Sequence, residues 1–221
     1  MSYGQLEIPS VPLVIYGAGG MARELAWLAD SCPEVGVLVA LLDDAAHEHG
    51  RIVNGIPVMG LADAARRFPG ARIVGGVGDP KLRERLVQSA VRAGLVAVTL
   101  IHPRVERSRF VQIGEGTVIC AGSHIAPNVV LGCHVQINRS CDVSHDVVMG
   151  DFATLAPGVK VSGRVRIGAR AYIGTNASII NGQADAPILI GEDAVVGAAA
   201  CVTRDVPPGT TVVGVPARPR G

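Results

Sequence analysis

Rings are nearly missing from this chain. Of its 221 residues, 48% are hydrophobic but only 3% are aromatic, with Trp 1, Tyr 3 and Phe 3. A core so poor in rings is filled by Ile, Val and Ala, as suits a narrow interior. Charge of one sign is also lacking: the formal net charge is +1, so no global field draws the chain to nucleic acid or to a membrane surface. No apolar run reaches the roughly 18 residues of a membrane span, and the first residues lack the basic and apolar regions of a signal peptide. The five cysteines (Cys32, Cys120, Cys133, Cys141, Cys201) form no CxxC pair and are odd in number, which argues against a disulfide framework. These absences point to a reduced, cytoplasmic protein with no nucleic-acid or membrane partner and no apparent metal site.

What is present is a period. Steps of six from Ile113 meet Ile119, Ile125, Leu131, Ile137, Val143, Met149, Leu155, Val161, Ile167, Ile173 and Ile179, twelve aliphatic residues in an unbroken series. After a slip of frame, Ile190, Val196 and Val202 resume it. Neither a helix nor an ordinary sheet explains so strict a repeat. It is the mark of a hexapeptide β-helix, a solenoid with one inward side chain per short strand. Four residues after the aliphatics stand small or β-branched side chains, such as Thr117, Ser123, Cys141, Ala153 and Ala171, which let the chain turn a corner beside a packed interior. Cys141 is therefore read as a small buried apolar residue. Gly114, Gly132, Gly150, Gly168, Gly174, Gly191 and Gly197 directly follow aliphatics, where a tight turn is expected to need unusual φ/ψ. Ile179 and Ile190 stand eleven apart, so five extra residues bulge as a loop within 181–187, over a groove.

The first hundred residues read differently. Leu13-Val14-Ile15-Tyr16 is a short apolar run before Gly17-Ala18-Gly19-Gly20, and a helix follows with Met21, Leu25 and Leu28 on one face. Val35 to Leu42 reads as a second strand ending in Asp43-Asp44, Ile73 to Val77 as a third, and Leu95 to Leu100 as a fourth. Asp79 caps a helix that has Pro80 at its first position, Leu82, Leu86 and Ala90 on one face and Gly94 at its end. Strands alternating with helices predict a small parallel sheet of Rossmann type. Gly17-Ala18-Gly19-Gly20-Met21-Ala22 fits G-x-G-x-x-A between strand and helix, where glycines let backbone approach a pyrophosphate. A dinucleotide would put Asp43 or Asp44 on the ribose. Only one mononucleotide-binding half precedes the solenoid, which suits a nucleoside diphosphate better. A turn that merely connects strand to helix is the plain alternative.

The period, together with Ile15-Tyr16-Gly17-Ala18-Gly19-Gly20, Leu41-Leu42-Asp43-Asp44 and Ile101-His102-Pro103, resembles the hexapeptide-repeat acyltransferases. Within them it is similar to the sialic acid O-acetyltransferases and the N-acetyltransferases of nucleotide-linked amino sugars, such as the bacillosamine-pathway and perosamine enzymes. The resemblance covers nearly the whole chain. It implies an α/β Rossmann-like domain over residues 1–103 that binds a nucleotide sugar through Gly17, Gly19, Gly20, Asp43 and Asp44. It further implies a left-handed parallel β-helix over residues 104–221, with three repeats to a triangular coil and about five coils. An acetyl-CoA donor, a homotrimer and active sites between subunits are also implied. One departure is that family members often carry a His where this chain has Ala22.

The resemblance also assigns the chemistry. Asn138 to Asp146 matches the branch's Asn…His-Glu segment, with Asp146 in place of Glu, so His145 corresponds to the general base. Either Asp146 or Asp142 is open as the carboxylate that orients it. The Gly163 amide corresponds to the oxyanion donor. CoA is expected along backbone near Gly163, Ile173 and Gly174, and at Gly214-Val215-Pro216-Ala217-Arg218, which resembles a terminal GVPAK segment, with Pro216 lining the site and Arg218 able to pair with a phosphate. No acid follows Asp205, so Arg218 and Arg220 keep that tail basic. His124 and His134 match nothing catalytic, and His102 shapes the junction before Pro103. The first functional reading is acetyl-CoA-dependent N-acetylation of a nucleotide-linked 4-amino sugar without an acyl-enzyme. O-acetylation of a sugar such as sialic acid is the second. A silent β-helix that scaffolds or binds a nucleotide is the third.

Overall fold

The computed structural model describes residues 11–220; residues 1–10, which carry the signal-peptide reading, and residue 221, the last of the expected second domain, lie outside the described residues. Two architectures share the chain. The first is a sheet of β1 (Pro12–Tyr16), β2 (Val37–Leu42), β3 (Ile52–Val53), β4 (Ile56–Met59), β5 (Arg72–Gly75) and β6 (Val96–Ala97), with helices α1 (Gly20–Ala29), α2 (Leu61–Arg67) and α3 (Pro80–Arg92). Its order is β3-β4-β2-β1-β5-β6, all parallel except the β3–β4 hairpin. β1 is central and apolar on both faces. Leu13 and Ile15 pack with Leu25 and Leu28 of α1, while Val14 and Tyr16 pack with Leu86 and Ala90 of α3. Helix α3 begins as expected: the Asp79 carboxylate accepts from Leu82 N at 2.7 Å, and Gly94 follows the last turn at φ +88°.

Three strands differ from the sequence expectation. Val35 lies in a short 3-10 turn (Pro33–Val35), and β2 starts only after Gly36, whose φ is +136°. The third strand runs Arg72–Gly75 instead of Ile73 to Val77. The fourth is broken: Val96–Ala97 closes the first sheet, but Leu100–Ile101 pairs with Val118–Ile119 and already belongs to the solenoid. The first coil was hidden from the period because Arg107 stands where an aliphatic would, and it is exposed.

The second architecture is a left-handed parallel β-helix. Strands of two or three residues stack into three sheets, with an offset of 18 residues in every register before the loop, as in Val118 to Gln136 and Asp142 to Lys160. Across it the step is 23, as in Tyr172 to Val195, so the five added residues lie in one coil, and in the last coil the step falls to 16, as in Val195 to Thr211. The aliphatics from Ile119 to Val202 fill the interior, and the small side chains Val129, Val135, Cys141, Ala153, Val165 and Ala171 beside them are fully buried.

The glycines after the aliphatics need a different explanation from the turn conformation first expected. None of Gly114, Gly132, Gly150, Gly168, Gly174, Gly191 or Gly197 has a positive φ. They are bare because the next coil passes too close: a Cβ on Gly168 would lie 2.7 Å from Gly191 C and 2.8 Å from Glu192 Cα. The left-handed conformation falls two residues later, at Asn128, His134, Ser140, Asp146, Phe152, Arg164, Arg170 and Asn176, with φ of 56–62°. Polar side chains dominate there because they tolerate that region better than β-branched ones do.

The two architectures meet on one solenoid sheet. The outward residues Leu100, Val118, Gln136 and Thr154 of that sheet are buried under the first domain. Leu100 and Val118 join the α1 core. Gln136 and Thr154 meet Arg83 of α3, a fully buried cation that has no carboxylate partner among the described residues. Its guanidinium donates to Gln136 Oε1 at 3.0 Å, Thr154 Oγ1 at 2.9 Å, Phe152 O at 2.5 Å and Val77 O at 3.0 Å, leaving Nε unbonded. Burial pushes its pKa down to about 10.

Candidate active site

Two polar sites emerge, one in each architecture. The first is an open cleft of about 490 Å³ at the carboxyl ends of β1, β2 and β5, where the strand order reverses around β1. All five residues expected on sequence grounds line it: Gly17, Gly19, Gly20, Asp43 and Asp44. Their reasons for being there differ. Gly17 has φ +128°, and a Cβ on it would sit 2.7 Å from Gly76 O, so the fold itself needs it. A Cβ on Gly19 would meet nothing within 4 Å. Gly19 precedes α1 without a side-chain cap, and no acid occupies the first turn, so the positive helix end faces the cleft undressed. Asp43 Oδ1 accepts from Ala45 N at 2.9 Å, and Asp44 accepts from Tyr16 Oη at 2.5 Å. Burial first, then Asp44, raises the Tyr16 phenol well above its ordinary range, so it stays a donor. Arg85 of α3 adds an exposed cation to the same cleft. Sequence reasoning missed it because only the fold of α3 over the sheet brings it to the β1 loop.

The second site is a corner of the solenoid. His145 Nδ1 lies 2.8 Å from Asp146 Oδ2, and Asp146 Oδ1 accepts from Asn128 Nδ2 at 3.1 Å. These two hydrogen bonds, His145 first, hold the Asp146 carboxyl below its ordinary pKa, so it is an ionised acceptor. Nδ1 is then the donor of that bond, and in the neutral ring Nε2 carries the lone pair. Of the two carboxylates left open by the sequence, Asp146 is the one in contact with His145. Asp142 is engaged elsewhere, accepting from Lys160 Nζ at 2.6 Å and lying 2.8 Å from His124 Nδ1. Gly163 sits one coil beyond His145 at the same corner, and a Cβ there would fall 2.6 Å from His145 Nε2. The bare glycine makes room for the imidazole edge, and among the described residues no acceptor takes the Gly163 N–H.

The remaining expected residues are placed as follows. Asn138 is buried and donates Nδ2 to Leu155 O at 2.8 Å, a bond that ties coil to coil and not to His145. Ile173 points inward, fully buried, and Gly174 N donates to Val196 O at 2.7 Å, so both offer backbone at most. Pro216 precedes the final strand, and Arg218 pairs with Val213 at the end of the sheet that holds Ile173, its guanidinium exposed. His102 shapes the first corner by accepting from Arg104 N at 2.9 Å. Among the described residues no cluster of His, Cys, Asp and Glu could hold a metal, and no helix is long and apolar enough to cross a membrane.

Comparison with known proteins agrees with both halves. Residues 12–90 match the PglD N-terminal domain. The GDP-perosamine N-acetyltransferase of Escherichia coli O157:H7 is 33% identical over 214 residues, 92% of this chain and 94% of that protein. PerB of Caulobacter crescentus, solved in complex with CoA and GDP-perosamine, is 32% identical with a TM-score of 0.85, over 95% of this chain and 97% of PerB. Variants of the Caulobacter enzyme with one histidine replaced by asparagine or alanine were also solved with both ligands. The acetyltransferase domain of PglB from Neisseria gonorrhoeae FA1090, in complex with acetyl coenzyme A, is 32% identical with a TM-score of 0.85, over 96% of this chain and all of that domain. The chain belongs to the hexapeptide-repeat acyltransferases. It is an acetyl-CoA-dependent sugar acetyltransferase of the branch that carries an N-terminal α/β domain.

Proposed function

We propose that the protein N-acetylates the amine of a nucleotide-linked 4-amino sugar, with His145 as general base. The observation that carries this reading is the Asn128–Asp146–His145 chain, which fixes the tautomer and leaves Nε2 beside the bare Gly163. Acetyl-CoA supplies an activated acyl carbon. The amine nitrogen forms a bond to that carbon and gives its proton to His145 Nε2. The Gly163 N–H holds the charge that develops on the carbonyl oxygen, the C–S bond breaks, and the thiolate takes the proton back from His145. Asn138 keeps the coil beneath this corner in register. CoA lies along backbone at Gly163, Ile173 and Gly174, and its phosphates meet Arg218 beside Pro216; an exposed guanidinium and open backbone edges suit such a ligand.

In this reading the N-terminal α/β domain holds the acceptor, with Gly17, Gly19, Gly20, Asp43 and Asp44 around the nucleotide, and the solenoid, which starts at Leu100 and not at residue 104, holds the donor. A homotrimer completes the site, because His145 is exposed and two of the three solenoid sheets are uncovered by the chain's own first domain. Five free cysteines fit a reducing cytoplasm. The test is thiol release from acetyl-CoA with a panel of GDP-, UDP- and dTDP-linked 4-amino sugars and with free sialic acid. Turnover confined to the amino sugars is expected. Turnover with sialic acid alone would favour O-acetylation, and none at all a scaffold.

A further inference from the structure

The 18-residue coil places Pro127, His145, Gly163 and Asn181 at one corner, on successive rungs. Neighbouring rungs are about 4.8 Å apart, and the space a side chain on Gly163 would take is filled by His145 from one side and Asn181 from the other. Both flanking side chains reach into it. A Cβ on Gly163 would lie 2.6 Å from His145 Nε2 and 2.8 Å from Asn181 Oδ1. The orientation of the Asn181 amide is set by its other end: Nδ2 donates to Gly182 O at 2.5 Å, which turns the carbonyl oxygen toward Gly163. Among the described residues no donor reaches Asn181 Oδ1. The backbone around it is braced, with Gly182 N bonded to Gly163 O at 3.0 Å and Ile188 N to Arg164 O at 3.2 Å. The five-residue loop therefore begins beside Gly163 and is anchored to its rung.

We propose that Asn181 is the residue that selects an amine over a hydroxyl as the acceptor. Two acceptors, His145 Nε2 and Asn181 Oδ1, stand side by side over Gly163, and both side chains are exposed on the outer side. A neutral amine presents two N–H donors besides its carbon substituent and satisfies both acceptors, with its lone pair left for the acyl carbon. A hydroxyl has one hydrogen, so it leaves one of the two acceptors unpaired. The bound sugar takes water from both exposed acceptors, and an acceptor left unpaired keeps that desolvation cost, so an analogue lacking the second hydrogen is rejected. Asn181 holds one N–H while His145 removes the other, which also points the lone pair away from both.

This inference rests on the N-acetyltransfer reading and deepens it. The experiment compares kcat/KM of wild type, Asn181→Ala and Asn181→Asp on the best acceptor of the nucleotide-sugar panel and on its counterpart with a hydroxyl in place of the amine. For Asn181→Ala the expected result is a loss of about 10-fold or more on the amine, near-unchanged trace transfer to the hydroxyl, and an acetyl-CoA KM within about twofold of wild type. Asn181→Asp keeps an acceptor oxygen and is expected to recover most of the amine rate. Equal losses on both acceptors, or no loss on the amine, would overturn the assignment of Asn181 while leaving the N-acetyltransferase reading intact. A wild type that acetylates no amino sugar would overturn both.

Discussion

Glycine serves opposite ends in the two halves of this molecule. In the solenoid it is demanded by the protein: the coil above Gly168 occupies the place of a side chain. In the cleft, Gly19 faces open space, and nothing in the protein forbids a larger residue there. Gly163 stands between the two cases, since what a Cβ would strike is the His145 imidazole and the Asn181 amide. A glycine whose absent side chain is filled by backbone belongs to the fold. One whose absent side chain is filled by nothing is free for a ligand.

That contrast is broken or sharpened by substitution. The largest effect is expected from Gly168→Val, which drives a side chain into the next coil without a flexible neighbour to yield. A loss of about 3 kcal/mol or more, or failure to fold, should appear in denaturant unfolding. His145→Asn should fold normally and bind CoA, yet lower kcat by on the order of 10²-fold or more. Gly163→Ala should be smaller, with kcat down by at least about 10-fold through displacement of the imidazole and stability affected far less than by Gly168→Val. If Gly163→Ala instead unfolds the protein while turning over normally per folded molecule, the glycine is a packing residue and the corner is not an active site.

The parts of this molecule visible in the sequence are those that repeat or abut. The period of six places the interior from Ile119 to Val202, because a narrow coil imposes one inward residue per strand. The strand–glycine–helix order gives the cleft, because Gly17 to Gly20 and Asp43-Asp44 lie at the ends of adjacent strands. What escaped depends on contacts between distant segments. The first coil was masked by Arg107, an outlying residue at an inward position. The β3–β4 hairpin and α2 are too short for a clear period. Arg83 looks like an ordinary helix cation until Gln136 and Thr154 close over it. Asn181 was read as mere loop, although its spacing of 18 from Gly163 and 36 from His145 already set it in their column. The reason for the repeat glycines was mistaken because a composition of turns and a composition of close approach look alike in one dimension.

A subtler consequence separates buried from accessible thiols. Burial pushes Cys120 up to about 12 and Cys141 up to about 11, and it raises Cys32 as well. At pH 8 these three should stay protonated and resist alkylation in the native protein, while the half-buried Cys133 and Cys201 react first. Mass spectrometry of labelled peptides reads this directly, and rapid labelling of Cys141 would contradict the packed solenoid interior.

The central claim is that the two halves hold different ligands, the acceptor at the Gly17–Gly20 cleft and the donor on the solenoid. Calorimetric titration of Gly19→Val with GDP, UDP and CoA tests it most directly, alongside the melting temperature without ligand. The account predicts a melting temperature within about 2 °C of wild type, a nucleotide Kd at least about 10-fold weaker and a CoA Kd within about twofold. Equal weakening of nucleotide and CoA, or no change in either, would contradict it.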